Sequence, residues 1–99
     1  MARFDLYRPR RGPGYLLDIQ SNWLDRLPSR VVVPLLPPTV ALPVIRDLTP
    51  VFRVGEEEVA MMTHYLTAIP RRELGLAVGS LAAHQDEISR ALDMLMTGF

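Results

Sequence analysis

The 99-residue chain contains no cysteine and no lysine. The first absence excludes disulfides, thiolate nucleophiles and zinc–thiolate centres, and it suits a reducing compartment. The second leaves arginine to carry all 11 positive charges, which reads as the codon usage of a GC-rich genome. Net charge is lacking too, because 11 acidic side chains balance the arginines. No global field steers such a protein towards nucleic acid or an anionic membrane. The stretch from Met1 to Gly14 has no apolar h-region, so no secretory signal is expected. The longest uncharged run, Val31 to Ile45, is too short to cross a bilayer and is broken by Pro34, Pro37, Pro38 and Pro43. These absences predict one soluble, cytoplasmic domain over residues 1–99 with no membrane contact. No phosphate loop, dinucleotide fingerprint, nucleophile elbow or HExxH helix occurs, so no cofactor is expected.

The residues that are present read mainly as strands. "RFDLY" alternates polar and apolar, "RPRRGPG" forces a loop, and "YLLDIQS" returns, which predicts a β-hairpin over residues 3–21. "VVVPLL" has the β-branched richness of a strand, with Pro34 suggesting an edge or a bulge. "VFRVGEEEVAMMTH" predicts a second hairpin around Gly55, with Glu56 to Glu58 at its turn and Ile69 and Pro70 closing the unit. "RRELGLAVGS" is ambiguous. From Ser80 onward Leu81, His84, Ile88, Ala91, Leu92 and Leu95 fall at helical spacing, with Ser80 as N-cap and Gly98 as a left-handed terminator. The expected fold is mainly β with one C-terminal helix: a small barrel or curled sheet covered by that helix.

Few residues suggest chemistry. His64 with Arg71, Arg72 and Glu73 is the set an RNase-like acid–base site would need, and His84 is a second histidine. Glu56, Glu57 and Glu58 alternate between faces and read as a solvated turn, so no metal site is expected. Arg8, Arg10 and Arg11 form a basic loop without interleaved aromatics, which favours an acidic protein partner over nucleic acid. Trp23, beside Leu24, fits either a core or an interface anchor. Met94 and Met96 add apolar surface beyond the helix's main stripe. The chain closes on "MLMTGF", an apolar run behind a glycine. Such an end either packs into its own fold or is offered to something else.

Taken together, "YLLDIQSNWL", "RVVVPLL", "LTPVFRVGEEEVAMMT" and the closing "LMTGF" resemble the CcdB family of bacterial toxin–antitoxin toxins, in order, spacing and length. The resemblance covers Phe4 to Phe99 and is weakest over residues 36–49 and 71–85. It implies a homodimer of an SH3-like β-barrel with a small extra antiparallel sheet and a C-terminal helix. It also implies binding to the A subunit of DNA gyrase, which traps the cleaved complex, and relief by a cognate CcdA-like antitoxin, with no enzymatic activity. The gyrase-facing residues it implies are Thr97, Gly98 and Phe99, flanked by Ser21, Trp23, Leu24 and Asp93. Arg8, Arg10 and Arg11 are the expected antitoxin contacts. Thr97 stands where the family carries a tryptophan that stacks on a gyrase arginine. Two alternatives remain open at this level: a non-toxic or retargeted module that binds antitoxin only, and an endoribonuclease on the same barrel, as in MazF-like toxins.

Overall fold

A computed structural model describes residues 2–40 and 44–98 of the chain. Strands β1 (Asp5–Tyr7) and β2 (Tyr15–Asp18) form the expected first hairpin. Its loop closes at Gly14, whose φ is +86° and where a Cβ would fall 1.9 Å from the Leu35 carbonyl oxygen. Only glycine meets both conditions. The long strand β3 (Ser29–Leu36) follows, then β4 (Val51–Val54), β5 (Glu57–Met61), β6 (Thr67–Pro70) and the two-residue β7 (Gly79–Ser80). Helix α1 (Gln85–Thr97) ends the described chain.

All pairings are antiparallel, in the order β4-β5-β3-β2-β1-β7, with β6 also on β3. The result is mainly β with one C-terminal helix, a curled SH3-like sheet. All seven described strands belong to one sheet, which the β4–β5 hairpin joins through Leu35 and Leu36.

Strand β3 is the spine, and it corrects the expectation for Pro34. It is a central strand, paired with β2 on one edge and with β6 and then β5 on the other. Pro34 sits where the second edge changes partner, between Val32 opposite Thr67 and Leu35 opposite Met61. Its carbonyl accepts the Met62 N–H at 2.9 Å, so its missing N–H faces the seam where neither partner's ladder needs a donor. The second hairpin is tighter than expected. Val54 pairs with Glu57, so the loop is Gly55-Glu56 with Gly55 at φ +61°, and Glu57 and Glu58 belong to β5. Ile69 and Pro70 leave that hairpin and pair instead with Arg30 and Ser29.

Period-two alternation divides β3 between two cores. Val33 and Leu35, with Val31 at the margin, pack with Leu17, Phe52, Val59 and Met61 beneath Ile88 and Ala91 of α1. Val32 faces the other way, with Tyr7 and Leu74. Each fully buried aliphatic side chain contributes about 1.5–3 kcal/mol, so Ile88 at 0% exposure is the main apolar tie between helix and sheet. The helix begins later than expected. A 3-10 turn at Ala82–His84 precedes it, and Ser80 lies in β7 with its Oγ accepting the Ala82 N–H at 3.1 Å. Among the described residues no helix is long and apolar enough to cross a membrane.

Candidate protein-binding surface

The connection between β2 and β3 contains a 3-10 turn, Asn22–Leu24. Ser21 starts it, its Oγ accepting the Trp23 N–H at 3.2 Å. Gln20 holds the far end: Nε2 donates to the Leu24 carbonyl at 2.8 Å while Oε1 accepts the Val31 N–H at 2.9 Å. Asn22 accepts the Arg3 N–H at 2.9 Å. Trp23 is 96% exposed and Leu24 49%. The core alternative for Trp23 is therefore excluded: an ordered turn holds the only tryptophan in water.

Beneath this turn lies a buried ion pair. Arg30 and Asp18 are both 0% exposed. The Arg30 Nε and Nη2 donate to Asp18 Oδ2 at 2.9 and 2.6 Å, and Asp18 Oδ1 accepts the Gln20 N–H at 3.0 Å. The guanidinium also reaches Asp25 Oδ1 at 3.3 Å through Nη1. Arg71 arrives from the end of β6, its Nη1 donating to the Asp25 carbonyl at 2.6 Å. A buried charge pair persists when its members find further hydrogen-bond partners; here each guanidinium nitrogen and each Asp18 carboxylate oxygen makes at least one bond. Tyr7, packed nearby with Val32, has its phenol pushed above the ordinary value, mainly by burial and then by Asp5 and Asp18; Arg30 and Arg71 oppose the shift.

Sequence reasoning gave this network no role. The available signal was an aspartate closing "YLLD" and an arginine opening "RVVV", opposite charges at the ends of two adjacent apolar runs.

Asp93 and Thr97 share the exposed face of the last helical turns. The Thr97 hydroxyl donates to the Asp93 carbonyl at 2.7 Å, so its polar group is used within the helix. Gly98 takes φ +83° and its N–H bonds the Met94 carbonyl at 3.0 Å, the left-handed cap expected of it. Met96 is 73% exposed. Phe99 lies outside the described residues. No hydrogen bond or ion pair among the described residues joins this helix end to the Ser21–Leu24 turn.

In the basic loop Arg8 is tethered. Its guanidinium lies 4.1 Å from the Tyr15 ring centroid, donates to the Gly14 carbonyl at 3.2 Å and approaches Glu57 at 3.5 Å. Arg10 and Arg11 are exposed.

The RNase-like set is not assembled. His64 precedes β6 and Arg71, Arg72 and Glu73 follow it, and four strand residues at about 3.3 Å each separate the two groups. His64 lies against Tyr65 at 4.4 Å between ring centroids, with Nδ1 buried and unpartnered. His84 meets Glu87 at 3.3 Å and the Phe52 ring at 5.0 Å. Among the described residues no three histidine or carboxylate side chains are grouped to hold a metal ion.

The curled antiparallel sheet crossed by one terminal helix is a fold that solved structures share. One, an endoribonuclease in complex with its cognate antitoxin from a mycobacterial species, superimposes with a TM-score of 0.78 at 18% identity, over 95% of this chain and 92% of that one. A second, an endoribonuclease from a mycobacterial species, gives 0.73 at 19% identity, over 95% and 88%. The family model described as CcdB protein matches residues 3–98. The chain belongs to the CcdB family, and so to the toxins of toxin–antitoxin systems.

Proposed function

We propose that the chain, acting as one toxin domain over residues 1–99, binds the A subunit of DNA gyrase and traps the DNA-cleaved complex. In this reading it works in the cytoplasm as a homodimer, uses no catalytic residue, metal or cofactor, and does not engage nucleic acid on its own. A CcdA-like antitoxin relieves the block, with Arg8, Arg10 and Arg11 among its contacts. The gyrase-facing residues are Ser21, Trp23, Leu24, Asp93, Thr97, Gly98 and Phe99.

The observation that carries the reading is Trp23, 96% exposed on a turn fixed at both ends. A bare aromatic on ordered backbone is what an interface anchor requires. Family membership over residues 3–98 supports this choice of target. The test is a cleavage-complex assay with purified gyrase, comparing the full chain with a version ending at Thr97. Linear DNA accumulating with the full chain alone supports the poison. Equal accumulation with both removes the C-terminal residues from the site.

A second reading, a module that binds antitoxin only, is favoured by Thr97, whose hydroxyl is occupied by Asp93 and which offers no aromatic face. Loss of a stacked anchor costs on the order of 2 kcal/mol, roughly thirtyfold in affinity. On that reading Thr97→Trp creates gyrase poisoning where the parent chain has none. The endoribonuclease reading draws on the two neighbours' activity, and the split of His64 from Arg71, Arg72 and Glu73 speaks against the residues it would use.

A further inference from the structure

Arg71 is far from the Trp23 turn in sequence, yet it ends on that turn. A short 3-10 turn leaves its last carbonyls without internal partners. Here the two carbonyls following Trp23 each receive a side-chain donor: Leu24 from the neighbouring Gln20 at 2.8 Å, beside the Leu27 N–H at 3.2 Å, and Asp25 from the distant Arg71 at 2.6 Å. The Arg71 bond is charge-assisted and short. Its backbone is anchored separately, by its N–H to the Pro28 carbonyl at 2.8 Å. The base of the turn is thus pinned from both sides, while the Trp23 side chain is almost free of the chain that carries it.

We infer that Arg71 and Gln20 are positioning residues for the Trp23 contact: they hold the turn in its binding conformation before the partner arrives. The inference rests on the proposed gyrase contact for its function, but not for its structural content. Ordering a loop in advance removes a cost otherwise met on binding. Gln20 also serves the Val31 N–H, so its removal would disturb strand β3. Arg71 is the cleaner probe, because its side chain can be cut while its backbone bond to Pro28 and the Asp18–Arg30 pair remain.

Trp23 is the sole tryptophan, so its time-resolved fluorescence anisotropy reports on the turn in the free, full-length protein. Arg71→Ala should enlarge the fast local component, and Arg71→Lys, which keeps one charged donor, should restore most of the order. An Arg71→Ala protein with the wild-type decay overturns the inference. Binding to the gyrase A subunit supplies the second arm, read as a double-mutant cycle. Arg71→Ala should weaken binding about tenfold, ~1.4 kcal/mol, and should have no further effect in a Trp23→Ala background. Equal weakening in both backgrounds would show that Arg71 acts independently of Trp23 and would also overturn the inference. If the wild-type chain fails to bind gyrase at all, the proposed function falls, and the anisotropy comparison alone decides the positioning role.

Discussion

The two parts of the candidate surface are ordered in different ways. The Asn22–Leu24 turn is held locally by Ser21 at its start and Gln20 at its end, and in addition by distant points of the chain: Arg71 at its end, Arg3 from the N-terminal segment, and the Asp18–Arg30 pair below. The helix end is held locally, by the backbone ladder, the Thr97 bond to Asp93 four residues back and the left-handed Gly98 cap. One is a tertiary construction whose order depends on the whole fold. The other is an ordinary helix terminus whose order depends on its own last turn. Damage to the first should therefore spread, and damage to the second should stay where it is made.

The sharpest way to break the comparison is Asp18→Ala. It leaves the Arg30 charge at 0% exposure with only the 3.3 Å contact to the half-exposed Asp25, which costs about 3–5 kcal/mol. Urea unfolding followed by circular dichroism is the suitable measurement, since Trp23 already sits in water and its emission would change little. Replacing both partners by apolar residues, Asp18→Leu with Arg30→Met, should recover much of the loss; a double variant as unstable as the single one would contradict the account. At the helix end, Gly98→Ala meets no neighbour but imposes φ +83° on an L residue, for about 1 kcal/mol. Hydrogen exchange should show that loss confined to the last turn, with the sheet amides unchanged. Ser21→Ala removes only the turn's first bond and should cost about 0.5–1 kcal/mol in thermal unfolding.

The smallest expected effect is a dependence on alkaline pH. Burial, then Asp5 and Asp18, raise the Tyr7 phenol above its ordinary value. A group whose folded pKa lies above its unfolded one contributes stability that is complete below the unfolded value and is lost as pH rises through the folded one. Stability should fall above about pH 10, and Tyr7→Phe should flatten that slope. An unchanged slope would place the alkaline transition in another group.

Much of the architecture was legible from local pattern. The first hairpin follows from alternation interrupted by "RPRRGPG", the second from Gly55, and the helix with its terminator from the spacing of Ile88, Ala91, Leu92, Leu95 and Gly98. Strands β6 and β7 were not legible, because four residues ending in proline and a Gly-Ser pair carry no period of their own and become strands only against β3 and β1. Pro34 misled for a related reason. Proline argues against a central strand unless a partner change leaves its side of the ladder without a donor requirement, and that depends on residues some thirty positions away. Of the candidate surface, Trp23 and Gly98 stood out in the sequence, whereas the residues that hold Trp23 did not.

The sequence by itself determined the elements with a short-range cause: apolar alternation for strands, helical spacing for α1, and glycine where the backbone must turn left-handed. It also carried enough pattern, in "YLLDIQSNWL" and "RVVVPLL", to identify the family. Only the tertiary structure decided whether Trp23 was core or surface, joined Asp18 to Arg30, separated His64 from Arg71 and brought Arg71 to the Asp25 carbonyl. Each of those outcomes depends on which strand edges meet. Pairing is set by the packing of the whole sheet, and a window of neighbouring residues does not contain it.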